Sequence, residues 1–225
     1  MKIAVLTGAS RGIGLATAKL LIKRGWRVIG THNQNIIPIK SDHLVAIKLD
    51  LASPKSIAEA VKKIKQEAAT IDALINNAAT LEDALDEKAV MEKIRTTLEV
   101  NLLGTINFTE GLLPLLHKGS QVININSVYG SFSFPVEEVD AIGYRLSKAA
   151  LNMYTRILAF GLKNKGIIVS SLDPGWVKTD MGNIVANELE GPDREPEQPA
   201  QEILDILESV KETGQFWRFG EKREW

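Results

Sequence analysis

The sequence predicts a single-domain α/β fold over residues 1–225, in which a doubly wound, mostly parallel sheet of about seven strands is flanked by helices. Three observations predict this class. Short and nearly continuous apolar runs recur along the chain, as buried parallel strands require. Stretches of helical periodicity separate most of these runs. With 225 residues, 44% of them hydrophobic, the chain is long enough to bury one substantial core.

Apolar runs of strand length mark the elements of this sheet. They are Ile3–Thr7, Arg27–Thr31, Leu44–Leu49, Ala73–Asn76, Gln121–Asn126 and Ile167–Leu172. Gly214–Phe219, near the end of the chain, is predicted to add an edge strand. Helical patterns cover Gly12–Arg24, Pro54–Ala68, Lys88–His117, Ile142–Asn164 and Ala200–Val210. The alternation of the two types implies helices on both faces of the sheet.

Two connections depart from a regular alternation. Asn33–His43 is short for a parallel crossover, which usually contains a helix, and Pro38 lies in its middle. We expect an irregular loop or a single helical turn there. Glu188–Pro199 carries three prolines and many charges, which predicts a surface loop with solvated charges before the last helix.

Composition excludes several classes of function. A net charge of −1 leaves no basic surplus for a nucleic-acid partner. The lack of cysteine excludes disulfides and thiolate metal sites and fits a reducing, cytoplasmic location. The first apolar run is too short for a secretion signal, and no run of about 18 apolar residues predicts a membrane helix. His32, His43 and His117 have no acidic or cysteine neighbours at ligand spacing, so no metal site is expected.

A glycine-rich turn follows the first strand and opens the first helix. It comprises Thr7, Gly8, Ala9, Ser10, Arg11, Gly12, Ile13 and Gly14. Gly8 permits the tight turn, Gly12 lets the backbone approach a pyrophosphate, and Gly14 lets the helix pack close to the sheet. The helix N-terminus then directs free N–H groups at the anion. The alternative is an ordinary strand–turn–helix unit with incidental glycines, but residues farther along the chain favour a dinucleotide site.

The end of the second strand bears on which dinucleotide is bound. NAD sites often place a carboxylate there to bind the ribose 2′-hydroxyl. Here the strand ends at His32 and Asn33 without an acid, and Arg11 in the turn offers a guanidinium to a 2′-phosphate. NADP is therefore favoured, with NAD left open. The alternative for Arg11 is an exposed, solvated side chain.

The residues after the third strand are assigned to the adenine. Asp50 and its neighbour Leu51 follow that strand, and the Asp50 carboxylate can accept a hydrogen bond from the adenine amino group. The alternative role for Asp50 is the N-cap of the helix at Pro54, for which Ser53 is better suited.

Tyr144 and Lys148 are four residues apart, which places both side chains on one face of a helix. A free tyrosine has a pKa of about 10 and is a poor acid at neutral pH, but a nearby ammonium is expected to lower that pKa. Tyr144 can then donate a proton to a carbonyl oxygen while a hydride reaches the carbon. Ser127 follows the fifth strand, at the edge where such sheets bind ligands, and can hold the same oxygen. A Tyr-x-x-x-Lys pair by itself is most often a solvated helix face.

With these features the chain resembles the short-chain dehydrogenase/reductase family, whose members have a Rossmann fold, and the resemblance spans nearly its whole length. The Thr7–Gly14 turn resembles the cofactor turn of the family. Asn76-Asn77-Ala78-Ala79 is similar to its Asn-Asn-Ala-Gly element, with Ala79 replacing the glycine. The resemblance implies that Asn77 and Ala78 contact the cofactor and that this element steadies the central sheet.

The same resemblance assigns further site residues. Asn101 matches the asparagine that completes a catalytic tetrad with Ser127, Tyr144 and Lys148, and that holds a water linking the lysine to solvent. Tyr144 and Lys148 also hold the cofactor in the family. A later segment is similar to the one that grips the nicotinamide carboxamide. It implies cofactor contacts by Pro174, Gly175, Val177 and Thr179.

One feature departs from the common pattern of the family, and another resembles one branch of it. Ser127 and Tyr144 are 17 residues apart, a longer separation than is usual, and the extra residues in Gly130–Ile142 are expected to form a loop over the substrate mouth. The ending from Gly214 to Trp225 resembles the carbonyl-reductase-like branch that includes the developmental C-factor.

The substrate side is expected to be apolar. Its predicted lining is Val128, Tyr129, Phe132, Phe134 and Trp176. Packing alone explains Trp176 equally well. Residues 181–199 are expected to form a flap over the substrate, with helical spacing at Met181–Leu189 that packing also explains.

These observations predict an NADP-dependent oxidoreductase that reduces the carbonyl of a small ketone or aldehyde, with Tyr144 as the general acid. Two alternatives stay open: a sensor or signalling protein of the same fold with little turnover, and an epimerase or dehydratase. The intact tetrad argues against the first, and the short stretch after Thr179 argues against the second. The resemblance implies a homodimer or homotetramer that pairs through the Lys88–His117 and Ile142–Asn164 helices.

Overall fold

A computed structural model of the chain describes residues 1–186 and 190–225. Within these residues, eight strands form one sheet. They are β1 (Ile3–Leu6), β2 (Arg27–His32), β3 (Leu44–Lys48), β4 (Ile71–Asn76), β5 (Leu116–Ile125), β6 (Ile168–Asp173), β7 (Gln215–Arg218) and β8 (Glu221–Arg223). Their order is β3-β2-β1-β4-β5-β6-β7-β8, and only the β7–β8 pair is antiparallel among them.

Six α-helices are described alongside the sheet. They are α1 (Gly12–Lys23), α2 (Pro54–Glu67), α3 (Met91–Leu98), α4 (Thr105–Leu112), α5 (Ile142–Leu162) and α6 (Glu197–Ser209). The predicted doubly wound α/β fold is confirmed. The single helix predicted over Lys88–His117 is wrong, because a π-helical turn at Glu99–Gly104 separates α3 from α4 and the end of that range enters β5.

Two apolar layers hold the helices against the sheet. On one face, α2, α4 and α5 contribute buried side chains such as Ile64, Phe108 and Leu158. On the other face, α1 and α6 contribute Leu21 and Ile203. Each fully buried side chain of this size stabilises the fold by about 1.5–3 kcal/mol. Both layers therefore help to hold the helices against the sheet.

The connection at Asn33–His43 is an irregular loop, as predicted. Ile37 anchors it in the core, with 8% of its surface exposed, and packs toward Gly30 on β2. The loop is long enough for β2 and β3 to pair in parallel from Val28 opposite Leu44 onward.

The end of the chain differs from the prediction. Gly214–Phe219 contains β7, but β7 is not the edge of the sheet, because β8 pairs with it after a tight turn. Phe219 in this turn has a φ of 55° and Gly220 a φ of 78°. The sequence of β8, Glu221–Arg223, is entirely charged and exposed, so it carries no apolar signal of a strand.

The strand order reverses beside β1, where β4 pairs with its other side. The carboxyl ends of β1, β4, β5 and β6 therefore open onto one crevice, the place where open α/β sheets bind ligands. The loops that follow these four strands carry the predicted site residues.

Candidate active site

The glycine-rich turn between β1 and α1 has the backbone that the sequence predicted. Gly8 has a φ of 70° and Gly12 a φ of 52°, values that side chains other than glycine rarely adopt. A Cβ on Gly14 would lie 2.1 Å from the carbonyl oxygen of Gly8. No side chain fits there, so the start of α1 approaches the turn closely and its N–H groups face the crevice.

The end of β4 is tied to this turn by hydrogen bonds. The Thr7 hydroxyl accepts from the backbone N–H groups of Asn77 (2.9 Å) and Ala78 (3.0 Å). The Asn77 side-chain amide donates to the carbonyl oxygens of Thr7 (2.9 Å) and Gly8 (3.3 Å). The two motifs therefore form one rigid unit at the reversal of strand order.

A cleft of about 470 Å³ follows the carboxyl edge of the sheet. Most predicted cofactor-binding residues line it: Gly8, Ser10, Arg11, Gly12, Ile13, His32, Asn33, Asp50, Leu51, Asn77, Ala78, Tyr144, Lys148, Pro174 and Thr179. Gly14, Gly175 and Val177 lie behind these residues and not on the wall itself. A Cβ on Gly12 would lie 3.0 Å from the Thr179 methyl group, so the turn and the segment after β6 face each other across the cleft.

Tyr144 and Lys148 project from α5 on one face, as their spacing predicted. The Lys148 Nζ atom donates to the carbonyl oxygen of Ile125, at 2.9 Å, and lies 5.4 Å from the centroid of the Tyr144 ring. Only 3% of Lys148 is exposed, while Tyr144 is partly exposed to the cleft. Ser127, directly after β5, hydrogen-bonds the Tyr144 hydroxyl. The structure thus brings these three side chains together.

The charges of this pair differ from the expectation. Burial raises the pKa of Tyr144, the carboxylate of Asp173 raises it further, and the hydrogen bond from Ser127 lowers it only in part. Burial also lowers the pKa of Lys148 to about 8, against which the charge of Asp173 acts. The prediction that Lys148 lowers the pKa of Tyr144 is therefore wrong, because the lysine is itself desolvated.

Asn101 lies in the π-helical turn, with 1% of its surface exposed. Its side chain accepts from the Thr80 N–H (2.8 Å) and donates to the Thr80 carbonyl oxygen (2.9 Å) and the Ser147 hydroxyl (3.2 Å). It therefore links the loop after β4 to α5, next to Lys148. Single π turns inside helices are common at functional sites.

The part of the cleft predicted to bind the adenosine has a cation and an imidazole nitrogen without a partner among the described residues. Arg11 forms an ion pair with Asp180 at 2.5 Å, and both side chains are mostly exposed. Nδ1 of His32 is buried and has no hydrogen-bond partner in the described part of the chain. Asp50 accepts from the N–H of Ala52, at 3.0 Å.

The N-cap of α2 is Ser53, whose hydroxyl accepts from the Ser56 N–H at 3.3 Å. The alternative role of Asp50 as this cap is therefore not what the structure shows.

The residues predicted to line the substrate lie on two loops. In the first, Val128 opens a 3-10 turn, and the rings of Tyr129 and Phe134 are 6.3 Å apart. Phe132 is 91% exposed at the tip of this loop. In the second, the Trp176 indole donates to the carbonyl oxygen of Gly182 at 2.7 Å, which supports its packing role.

The stretch predicted as a helix at Met181–Leu189 contains a 3-10 turn at Gly182–Val185 instead. Residues 187–189 lie outside the described residues.

Three buried charged residues near the site were not recognised from the sequence. Asp173, at the end of β6, is 2% exposed, and Arg194 is 9% exposed. The expectation of solvated charges over Glu188–Pro199 is therefore wrong at Arg194. Asp83, 1% exposed, accepts a hydrogen bond from the Gly143 N–H at the start of α5. An acid that ends an apolar strand was the only signal for Asp173, and the other two gave none.

Two further expectations concern metals and membranes. Among residues 1–186 and 190–225, no three His, Cys, Asp or Glu side chains are grouped so that they could hold a metal ion. None of the helices described is both long and apolar enough to cross a bilayer.

Comparison with known proteins bears on the chemistry of the cleft. The family model described as short chain dehydrogenase matches residues 2–189. The 3-oxoacyl-[acyl-carrier-protein] reductase FabG of Vibrio cholerae is 32% identical over 194 residues, which cover 83% of this chain and 78% of the relative. Carbonyl reductase family member 4 of Danio rerio is 30% identical over 228 residues, covering 96% and 94% of the two chains.

Solved structures agree. An NADPH-bound carbonyl reductase from chicken fatty liver superposes with a TM-score of 0.86 at 26% identity, covering 100% of this chain and 94% of the other. The doubly wound α/β fold of the chain therefore matches the fold of this reductase. The chain belongs to the short-chain dehydrogenase/reductase family and is an oxidoreductase.

Proposed function

We propose that the protein reduces the carbonyl group of a small, apolar ketone or aldehyde with NADPH. The observation that carries this proposal is a single cleft that is lined both by the glycine-rich turn and by the Tyr144–Lys148 pair. The reductases named among its relatives support the same reaction class.

The cleft fits a nicotinamide dinucleotide. The positive φ of Gly8 and Gly12 and the start of α1 make a concave surface of N–H donors for the pyrophosphate. Thr179 lines the opposite wall, with Val177 behind it, and these two residues would hold the carboxamide. The buried Nδ1 of His32, which has no partner among the described residues, is available at the ribose end. When bound, NADPH supplies the hydride.

The preference for NADPH over NADH rests on charge. No carboxylate ends β2, and Arg11 at the start of α1 offers a guanidinium for the 2′-phosphate. Asp180 now pairs with this guanidinium and competes with a phosphate for it. The NADPH-bound reductase from chicken liver is consistent with this choice.

Tyr144 is the general acid in this proposal. Its raised pKa keeps the phenol protonated at neutral pH, which is the state that can donate a proton to a carbonyl oxygen. Ser127, bonded to the same hydroxyl, orients it and holds the substrate oxygen. Lys148 binds the cofactor ribose, and Asn101 holds a water beside it for the return of the proton.

The apolar lining defines the substrate side. In this proposal the substrate lies against Tyr129, Phe132 and Phe134 on the loop after β5 and against Trp176. The described parts of the predicted flap over residues 181–199, which are residues 181–186 and 190–199, would cover the substrate, and we assign them to the same single domain as the rest of residues 1–225. The Val177–Arg194 bridge fastens the far end of this flap to the segment after β6.

A second copy of the chain is the proposed partner of α5. The helix leaves an apolar stripe on its outer face, made of Leu146, Met153, Ile157 and Phe160, which are 52%, 49%, 61% and 85% exposed. Their spacing places them on one side of the helix. Contiguous apolar surface of this kind marks an interface, and self-association through α5 covers it.

Tyr144→Phe tests the proton donor, because it removes the hydroxyl and keeps the ring. We expect kcat for ketone reduction to fall by about 100-fold or more, with NADPH affinity retained. Tyr154→Phe, on the same helix but bonded to Glu110, is the matched control and should keep its activity. Steady-state assays with a panel of ketones and NADPH decide it, and near-normal turnover of Tyr144→Phe would refute the role.

Arg11→Ala tests the choice of cofactor. Wild type should bind NADPH about 10- to 150-fold more tightly than NADH, and the variant should lose most of that preference. Asp180→Asn, which frees Arg11 from its ion pair, should tighten NADPH but not NADH. Fluorescence titration of both cofactors measures this, with Arg24→Ala at the other end of α1 as control. Equal affinities of wild type for the two cofactors contradict the proposal.

Lys148→Met tests the desolvated ammonium. The pKa of Lys148 is lowered from 10.5 to about 8 in the folded chain. Between these two pH values Lys148 is therefore mostly protonated in the unfolded chain and mostly deprotonated in the folded chain. As the pH rises from about 7 to about 10, the free energy of unfolding of wild type should therefore increase by about 2–3 kcal/mol relative to that of the variant. Urea unfolding at both pH values measures it, with Lys165→Met as an exposed control. If the difference in unfolding free energy between wild type and Lys148→Met is the same at both pH values, Lys148 is not desolvated.

Phe160→Glu tests the α5 interface, because it places a charge at the most exposed residue of the stripe. Sedimentation analysis should show a wild-type oligomer and a folded monomeric variant. Phe132→Glu, an exposed aromatic on the loop after β5, serves as control and should not dissociate the oligomer. A monomeric wild type at micromolar concentration contradicts self-association.

A further inference from the structure

The carboxylate of Asp173 lies between the two loops that form the active site. Oδ1 accepts from the backbone N–H of Gly175 at 3.0 Å, in the segment that faces the cofactor. The backbone N–H of Val128, the residue that follows Ser127, also faces this carboxylate and lowers its pKa. One buried side chain therefore touches the serine turn after β5 and the turn after β6.

The turn between β7 and β8 packs against the same place. Arg218, paired with Asp173 in the β6–β7 register, has its Nε 2.9 Å from Asp173 Oδ2. The next residue, Phe219, has a φ of 55°. Its ring packs so closely on Gly175 that a Cβ atom at Gly175 would lie 2.7 Å from the ring. This strained backbone is retained at a cost of about 1–3 kcal/mol, which indicates that the surrounding contacts hold it.

Arg194 completes the enclosure from the other side. Its guanidinium lies 4.3 Å from the centroid of the Phe219 ring, and that of Arg218 lies 4.7 Å from the same centroid. Arg194 also donates to the carbonyl oxygen of Pro174 and pairs with Glu202 on α6. The Pro174-Gly175 turn is therefore held by a buried arginine, an aromatic ring and a carboxylate.

The charged and titratable groups that face Asp173 are Arg218, Arg194, Tyr144 and Lys148. The two arginines stabilise its ionised form. Its charge in turn favours the ammonium of Lys148 and the neutral phenol of Tyr144. The carboxylate thus acts on both the geometry and the protonation of the catalytic pair.

We propose that Asp173 is a positioning residue for catalysis, and that Arg218 of the C-terminal hairpin holds its carboxylate between the Ser127 turn and the cofactor-facing segment. The proposal rests on the reductase function given above. It adds the hairpin from Gln215 to Arg223 to the elements on which turnover depends.

The ionised form is the one that can do this. The carboxylate accepts from the Gly175 N–H through Oδ1 and faces the Arg218 guanidinium through Oδ2, whereas protonation of either oxygen would set a donor against a donor. Burial raises the pKa of Asp173, and the Gly175 N–H, Arg218, the Val128 N–H and Arg194 lower it in part. The arrangement therefore holds at pH values above this pKa and is lost as the pH falls through it.

Arg218 offers a matched pair of variants for the test. Arg218→Gln removes the charge beside Asp173, and Arg218→Lys retains it; the side chain is 27% exposed, so both should fold. We expect the acid limb of kcat/KM for reduction to move to higher pH by about one unit or more in Arg218→Gln and to return toward wild type in Arg218→Lys. Arg223→Gln, on β8 of the same hairpin and paired with Glu221, is the control.

Asp173→Asn gives a second readout. It should abolish the acid limb that belongs to Asp173 and lower kcat by roughly 10- to 100-fold, with a smaller change in NADPH affinity. The proposal is overturned if the acid limb of kcat/KM lies at the same pH in wild type and in Arg218→Gln. It is also overturned if Asp173→Asn keeps the acid limb and the kcat of wild type.

Amide hydrogen exchange separates this proposal from the reductase function. In Asp173→Asn, exchange at Val128 and Gly175 should rise by about tenfold or more over that in Arg223→Gln, because their acceptor is weakened. This measurement needs no substrate. If wild type reduces no carbonyl, the reductase proposal fails and the exchange result still decides whether Asp173 holds the two turns. Unchanged exchange at both amides overturns the positioning role.

Discussion

The hydrogen bonds between the ends of β1 and β4 are the constraint on which the rest of the site depends. Thr7 and Asn77 satisfy each other's backbone and side-chain groups, and the cost of leaving such buried groups unpaired would be about 1–3 kcal/mol each. Because these two strands meet where the strand order reverses, the bonds also set the width of the crevice. The close approach of Gly14 to Gly8 is possible only while this geometry is kept.

A buried polar network carries that constraint across the sheet to α5. The Asn76 amide donates to Asn124 on β5 at 2.8 Å, and Asn124 donates to Thr155 on α5 at 2.9 Å. Asn152, one turn away from Lys148, donates to the Gly130 carbonyl oxygen at 3.0 Å. Polar networks inside a low-dielectric core favour one arrangement strongly, so α5 has little freedom to slide or rotate. The position of Tyr144 and Lys148 is therefore set by residues that never meet a substrate.

Local patterns in the sequence were enough for the fold class and for the centre of the site. Glycines at special φ values and a Tyr–Lys pair at helical spacing are short-range signals, and the structure places them in one cleft. The π turn at Glu99–Gly104, the charged strand β8 and the burial of Arg194 had no such signal. Each depends on contacts made with distant parts of the chain, which propensity and periodicity do not encode.

The protonation states of Tyr144 and Lys148 show most clearly what sequence patterns do not encode. Spacing alone suggested that Lys148 would acidify Tyr144, since an ammonium beside a phenol favours the phenolate. In the fold, the lysine is buried against the carbonyl oxygen of Ile125 and loses affinity for its own proton, while the charge of Asp173 acts on both groups. Which effect dominates is decided by desolvation, and desolvation is a property of the packed protein. A neutral phenol is the form that the proposed reduction requires. Burial favours this form of Tyr144, while the carboxylate of Asp173 favours the ammonium of Lys148.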